Sequence, residues 1–119
     1  MKDFRDLLVW KKAHSFVLKI YAVTRSFPRE EQYGITSQLR RAAVSIPTNT
    51  AEGCGRISEI EFARYLEIAF SSACETEYLL LLSRELEYLD ADKYKSLADE
   101  VCEIKRMLLG LLKKLKAEG

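Results

Sequence analysis

The segment QLRRAAVSIPTNTAEGCGR, Gln38 to Arg56, starts as a helix and then meets a residue that helices resist. Leu39, Ala42, Ala43 and Ile46 fall at helical spacing, but Pro47 follows at once, with polar Thr48, Asn49 and Thr50 behind it. Proline removes one backbone donor and its ring crowds the carbonyl four residues back, here Ala43, at a cost of about 3 kcal/mol. If one helix stopped at Ile46 and another began at Pro47, Ile46 would be the N-cap, where an apolar side chain offers orphan amides nothing. No glycine intervenes before Gly53. The segment therefore predicts one helix that continues through Pro47 with a kink. Hydroxyls of Ser45, Thr48 or Thr50, or a water, would take up the freed Ala43 carbonyl, and Gly53 to Gly55 would close the helix.

The flanking sequence repeats the helical pattern. Upstream, Val9, Ala13, Phe16, Ile20, Val23 and Phe27 recur at steps of four and three, and Trp10, Val17 and Tyr21 widen the stripe. Phe27-Pro28 stops it, because a residue before proline avoids the helical region, so helix one should run from about Asp6 to Ser26. Gly34 precedes the second stripe, Ile35, Leu39, Ala42 and Ile46. Downstream, Ser58 and Glu61 have the spacing of a capping box. Phe62, Leu66, Ala69, Ala73, Thr76, Leu80 and Ser83 then form a stripe that is small in its middle, flanked by bulkier Tyr65, Leu79, Leu82 and Leu86. That third helix is expected to end near Leu89, with Asp90 capping the fourth. Leu97, Val101, Ile104, Leu108, Leu111 and Leu115 give a heptad-like fourth stripe, with Lys113, Lys114 and Lys116 in its last turns, where cations suit the helix dipole. Strand-like alternation and internal repeats are both missing from the sequence. The expected fold is all-α: an antiparallel up-down four-helix bundle, helix two kinked at Pro47, as a single domain over residues 1–119.

Composition sets bounds on function. Of 119 residues, 48% are apolar and 31% charged, as in a soluble globular chain. The opening MKDFRDLLVW carries acids and no long apolar run, so it does not read as a signal peptide, and Leu79 to Leu82 is far too short to span a bilayer. A cytoplasmic protein is expected. Cys54, Cys74 and Cys102 are widely spaced, with no metal-like pattern, and read as small buried side chains in a reducing compartment. Net charge is +1 but uneven: residues 1–28 hold six Lys/Arg against two acids, and residues 58–89 hold two against seven. Such polarity can steer a partner or draw unlike segments together, although the total falls short of a strongly basic nucleic-acid binder.

The run from LLVWKKAHSFVLKIY through FPREEQYGITSQLRRAAVSIPTNTAEGCGR to EFARYLEIAFSSACETEYLLLLSRELEYLD resembles the four-helix bundle protein family. That family was first noticed as products of intervening sequences within bacterial large-subunit rRNA genes. The resemblance covers about Phe4 to Lys116 and is most specific over YGITSQLRRAAVSIPTNTAEG; Thr50 departs from it, since the family usually has an aliphatic residue there. What it implies is a small cytoplasmic bundle without established enzymatic activity. The fold is shared with the accessory variability protein of diversity-generating retroelements, which forms a pentameric barrel and binds nucleic acid through a basic surface. By that similarity this chain is expected to be a homo-oligomer, a pentamer first, with RNA or DNA as partner.

The candidate phosphate contacts are Lys11, Lys12, Lys19 and Arg25 on helix one, Arg40 and Arg41 on helix two, and Arg56 beyond it; the family motif runs through Arg40, Arg41 and Arg56. Repetition around a ring would multiply a weak patch. Equally, Arg40 and Arg41 could be surface or intersubunit residues paired with the acidic third helix. An alternative function is a protein-interaction scaffold that binds no nucleic acid, built on the aromatic-rich first helix and the broad apolar surface of helix three. A di-iron bundle enzyme needs two Glu-x-x-His pairs, whereas this chain has one histidine, His14, and no such pair. His14 reads as a helix-surface or interface residue. No catalytic, cofactor or metal residues, small-molecule substrate or membrane role are assigned. Asn49, Glu52 and Gly53 belong to the family motif around Pro47. They form either a polar pocket or assembly contact beside the kink, or a structural device in which Asn49 and Glu52 satisfy backbone groups and Gly53 supplies a left-handed turn.

Overall fold

The four apolar stripes become four helices in the computed structural model, which describes residues 2–118. They are α1 (Leu8–Thr24), α2 (Ile35–Cys54), α3 (Glu59–Glu85) and α4 (Ala91–Glu118), with single 3-10 turns over Phe4–Asp6 and Arg29–Glu31 and no strand among the described residues. At 1.5 Å per residue, α3 and α4 set the 45 Å long axis of a molecule 23 by 19 Å across. Packing is cyclic: α1 lies on α2 and α4, α3 lies on α2 and α4, and α1 and α3 occupy diagonal corners. Cross-helix contacts climb on one helix as they fall on the next. Glu67 meets Lys116 while Glu77 meets Lys105, and the Lys2 amide reaches the Cys54 carbonyl while Thr24 meets Arg40. The core lies between the helices, with Phe16, Ile20, Leu39, Ile46, Leu66, Leu80, Ile104 and Leu108 fully buried.

The elements differ from the sequence reading mainly at their ends. Helix one starts at Leu8 rather than Asp6, because Asp3 accepts the Arg5 amide and holds a 3-10 turn, and Leu7 is extended. It stops at Thr24, whose hydroxyl donates back to the Ile20 carbonyl at 2.7 Å. Ser58 accepts the Glu61 amide at 3.1 Å, which is one half of the capping box; Glu61 makes no return bond to the Ser58 amide among the described residues. Helix three ends at Glu85, four residues short of Leu89. There Glu87 enters the left-handed region at φ 65°, and the Tyr88 and Leu89 amides turn back onto the Ser83 carbonyl. Asp90 caps α4, accepting the Lys93 amide at 2.8 Å. In α4 the buried stripe passes from Leu108 to Leu112 instead of Leu111, since a straight helix of 3.6 residues per turn drifts away from a heptad.

The second helix runs through Pro47 without interruption. Its hydroxyls do not take up the Ala43 carbonyl: Thr48 donates to Val44 and Thr50 to Ile46, each at 2.8 Å, so each serves the carbonyl four residues back from itself. The left-handed turn expected at Gly53 is also absent. No described glycine has a positive φ, and the helix closes at Gly55, in right-handed geometry, with its amide on the Glu52 carbonyl. Gly53 is instead where α2 and α3 touch most closely. A Cβ there would lie 2.9 Å from both Phe62 Cδ1 and Tyr65 Cβ.

At one end of the bundle the two loops lock together. Tyr88 donates to Glu31 at 2.9 Å, Phe27 packs on the Tyr88 ring, and the other Glu31 oxygen accepts the Ile35 amide at the start of α2. These contacts join the α1/α2 connection to the α3/α4 connection.

Candidate nucleic-acid interface

Arg40 lies half-buried between α1 and α2. Its Nε donates to Thr24 Oγ1 at 2.8 Å, and its guanidinium lies 4.6 Å from the centre of the Tyr21 ring. It therefore ties the end of α1 to α2, and its partners are on the first helix rather than the acidic third. Arg41, one position on, points away: it is exposed and has no ion pair among the described residues. Arg56 lies at the far end of α2, about 22 Å along the axis from Arg41 by helical rise. It donates to the Tyr65 hydroxyl at 2.7 Å and covers that ring. Lys11 and Lys12 are exposed on α1; Lys12 is near enough to Glu103 to help lower its pKa, after the larger effect of Arg106. Lys19 is taken by Glu100 of α4 at 3.0 Å, and Arg25 is exposed. The fold thus strings the candidate cations along α1 and α2 and does not gather them into one patch.

The residues beside Pro47 divide between two tasks. Asn49 donates to the Ser45 carbonyl and to Ser45 Oγ, both at 2.9 Å, while Ser72 of α3 donates to the same Oγ at 2.7 Å. Asn49 therefore satisfies backbone within α2, and Ser45 links α2 to α3. Glu52 is exposed and its side chain bonds no backbone group among the described residues; it rims a groove of about 430 Å³ on the α1/α2 side, where Pro47 and Ala51 face Phe4, Trp10 and His14. Trp10 stacks flat on His14, with centroids 5.0 Å apart and planes 6° from parallel, and Phe4 meets Trp10 edge-on at 4.8 Å. Sequence reading placed Trp10 and His14 on α1 but missed their stack; the i, i+4 spacing carried that signal.

A second polar node joins α3 to α4. Glu77 accepts from Lys105 at 2.7 Å and from the Cys102 thiol at 3.3 Å. The Lys105 bond, then the Cys102 bond, holds the Glu77 carboxyl below its ordinary range, and the bond to Glu77 pushes the Cys102 thiol up. Burial does the same to Cys54. Only Cys54 is fully buried; Cys74 and Cys102 are half-buried, and all three are free thiols. No three His, Cys, Asp or Glu side chains among the described residues gather within reach of one metal ion. No helix among them is long and apolar enough to cross a membrane.

A family model described as 23S rRNA-intervening sequence protein matches residues 5–110, which takes in α1 to α3 and most of α4. The chain belongs to that family. The intervening-sequence protein fold is also seen in a solved Bacteroides thetaiotaomicron protein of unknown function from the S23 ribosomal protein family. That protein is 28% identical, superposes with a TM-score of 0.84, and the match covers 89% of this chain and 99% of the other. No curated protein matches. Thr50 is fully buried, and its own helix absorbs the hydroxyl through the Ile46 carbonyl.

Proposed function

We propose that this chain is a non-enzymatic, cytoplasmic homo-oligomer, a pentamer first, that binds nucleic acid as an accessory protein. In this reading the second helix is bent at Pro47 and its neighbours are antiparallel. The observation that carries it is where charge is left over. Lys11 on α1 and Arg41 on α2 stand exposed and outside any ion pair among the described residues, while the acid-rich α3 occupies the corner diagonal to α1. Phosphate contact needs little beyond exposed Lys or Arg, so even scattered cations repeated around a ring gain by avidity what one copy lacks.

Oligomerisation has its own support. The outer faces of α1 and α3 expose apolar side chains among opposite charges: Leu8 is 66% and Leu18 60% exposed beside Lys11, and Ile60 is 76% exposed near Glu67. Faces of opposite sign at diagonal corners suit a head-to-tail contact that closes into a ring. The same exposed apolar residues favour the second reading, a protein-interaction scaffold with no nucleic acid. Light scattering and fluorescence anisotropy separate them. The proposal expects a mass several times the 13.7 kDa chain, and RNA or DNA binding that falls at least tenfold in Arg41→Glu with the melting temperature unchanged. A monomer at micromolar concentration removes the ring, and an oligomer without affinity for either nucleic acid favours the scaffold. Arg40→Glu is a poor probe, since it would also break the Thr24 and Tyr21 contacts.

A further inference from the structure

We infer that the α1/α2 seam is a track for single-stranded nucleic acid, in which an unpaired base adds to the Trp10–His14 stack and Lys11 and Arg41 hold the flanking phosphates. The inference rests on the nucleic-acid reading above and goes further by naming the strand class and the site.

Three features of the seam converge. First, His14 is exposed and its ring lies parallel to Trp10 in a stack, so a further flat ring can add to it from solvent. Unpaired bases stack on such surfaces whatever their identity, while a duplex keeps its base faces covered. Second, a further π surface lies along the same seam, where Arg40 covers Tyr21. From Trp10 to Tyr21 the helix rises about 16 Å, the reach of a few stacked nucleotides. Third, the charges suit a strand better than a helix of DNA. Lys11 follows Trp10 on α1 and Arg41 follows Arg40 on α2; both are exposed cations, too few to neutralise a duplex but enough for the two ends of a short strand. Glu52, the acid on the groove, is no partner for phosphate, but it is an acceptor for the exocyclic amine of cytosine.

Trp10 is the single tryptophan of the chain, so its emission reports on the seam alone. The test titrates the full-length protein with a short labelled oligodeoxycytidine and with a duplex of equal length, following anisotropy and Trp10 emission together. The expected result is Trp10 quenching that saturates with the single-strand isotherm, and a duplex affinity at least tenfold weaker. His14→Ala should weaken the single strand by about 5- to 150-fold, the range for losing one base stack, while His14→Phe, which keeps a flat ring, should retain affinity. Unchanged melting curves for both variants exclude a folding defect. Binding with no change in Trp10 emission, or duplex bound as tightly as single strand, overturns the seam and leaves nucleic-acid binding elsewhere. Binding of neither probe overturns the track, and failure of a single-stranded and a duplex RNA to bind as well overturns the nucleic-acid reading. A shift of Trp10 emission on dilution of the free protein also overturns it, because the seam is then covered by a second copy.

Discussion

Gly53 shows how one residue can be placed correctly in a sequence and given the wrong reason. It closes a helical run and precedes Cys54-Gly55, so a left-handed C-terminal turn is the local explanation. The actual constraint is space: α3 passes so close that Phe62 and Tyr65 fill the volume of a side chain. Nothing local in the sequence distinguishes the two, because the crowding partners belong to another helix. By contrast, Ser58 and Asp90 were legible as caps, since each serves an amide three residues on. Gly53→Ala weighs the two causes. Helix propensity alone gains about 1 kcal/mol. Overpacking costs about 1–3 kcal/mol, because the methyl group meets Cβ and ring atoms of α3. A net loss on the order of 1 kcal/mol is expected in urea unfolding, and a gain would show that α3 yields. The candidate cations were equally legible by type and equally opaque by role. Arg40 and Arg41 are adjacent in sequence, yet one holds Thr24 and Tyr21 and the other faces solvent.

The helices themselves were readable because their apolar stripes are long, and stripes survive errors at single positions. Continuation of α2 through Pro47 was readable too, since Ile46 made a poor cap and no glycine offered a stop. The end of α3 was not. Its reversal uses Glu87 at φ 65°, a residue with no special turn chemistry, held by amides that close on Ser83. Pairing between helices was likewise hidden, and the Glu77–Lys105 bond is the clearest case. That bond lowers the Glu77 carboxyl from its ordinary 4.5, so its stabilisation is present above that pH and is lost as pH falls through the lower folded value. Lys105 is raised by the same bond, so its share persists below its ordinary 10.5 and is lost at higher pH. Glu77→Gln should therefore lower the melting temperature at neutral pH and flatten its decline below pH 4.5. An equally steep acid decline in the variant would place the titrating group elsewhere. Because Glu77 is over a third exposed, solvent screening keeps the effect modest.

Viewed whole, the molecule puts its basic first helix and acidic third helix at diagonal corners and fills the space between them with apolar side chains. A chain of net charge +1 thus keeps its basic and acidic helices apart; in the proposed reading one meets phosphate and the two meet across a subunit boundary. Sequence revealed this segregation as a difference between segments; only the packing shows that the segments face away from each other. The aromatic stack of Trp10 and His14 then lies on the basic side, beside the family motif. The most direct measurement is the salt dependence of the affinity for a labelled single-stranded RNA. If exposed cations hold phosphates, the logarithm of the binding constant falls linearly with the logarithm of salt, and Arg41→Glu makes that slope shallower by about one contact per subunit engaged. A binding constant indifferent to salt, or no binding at low salt, contradicts the account.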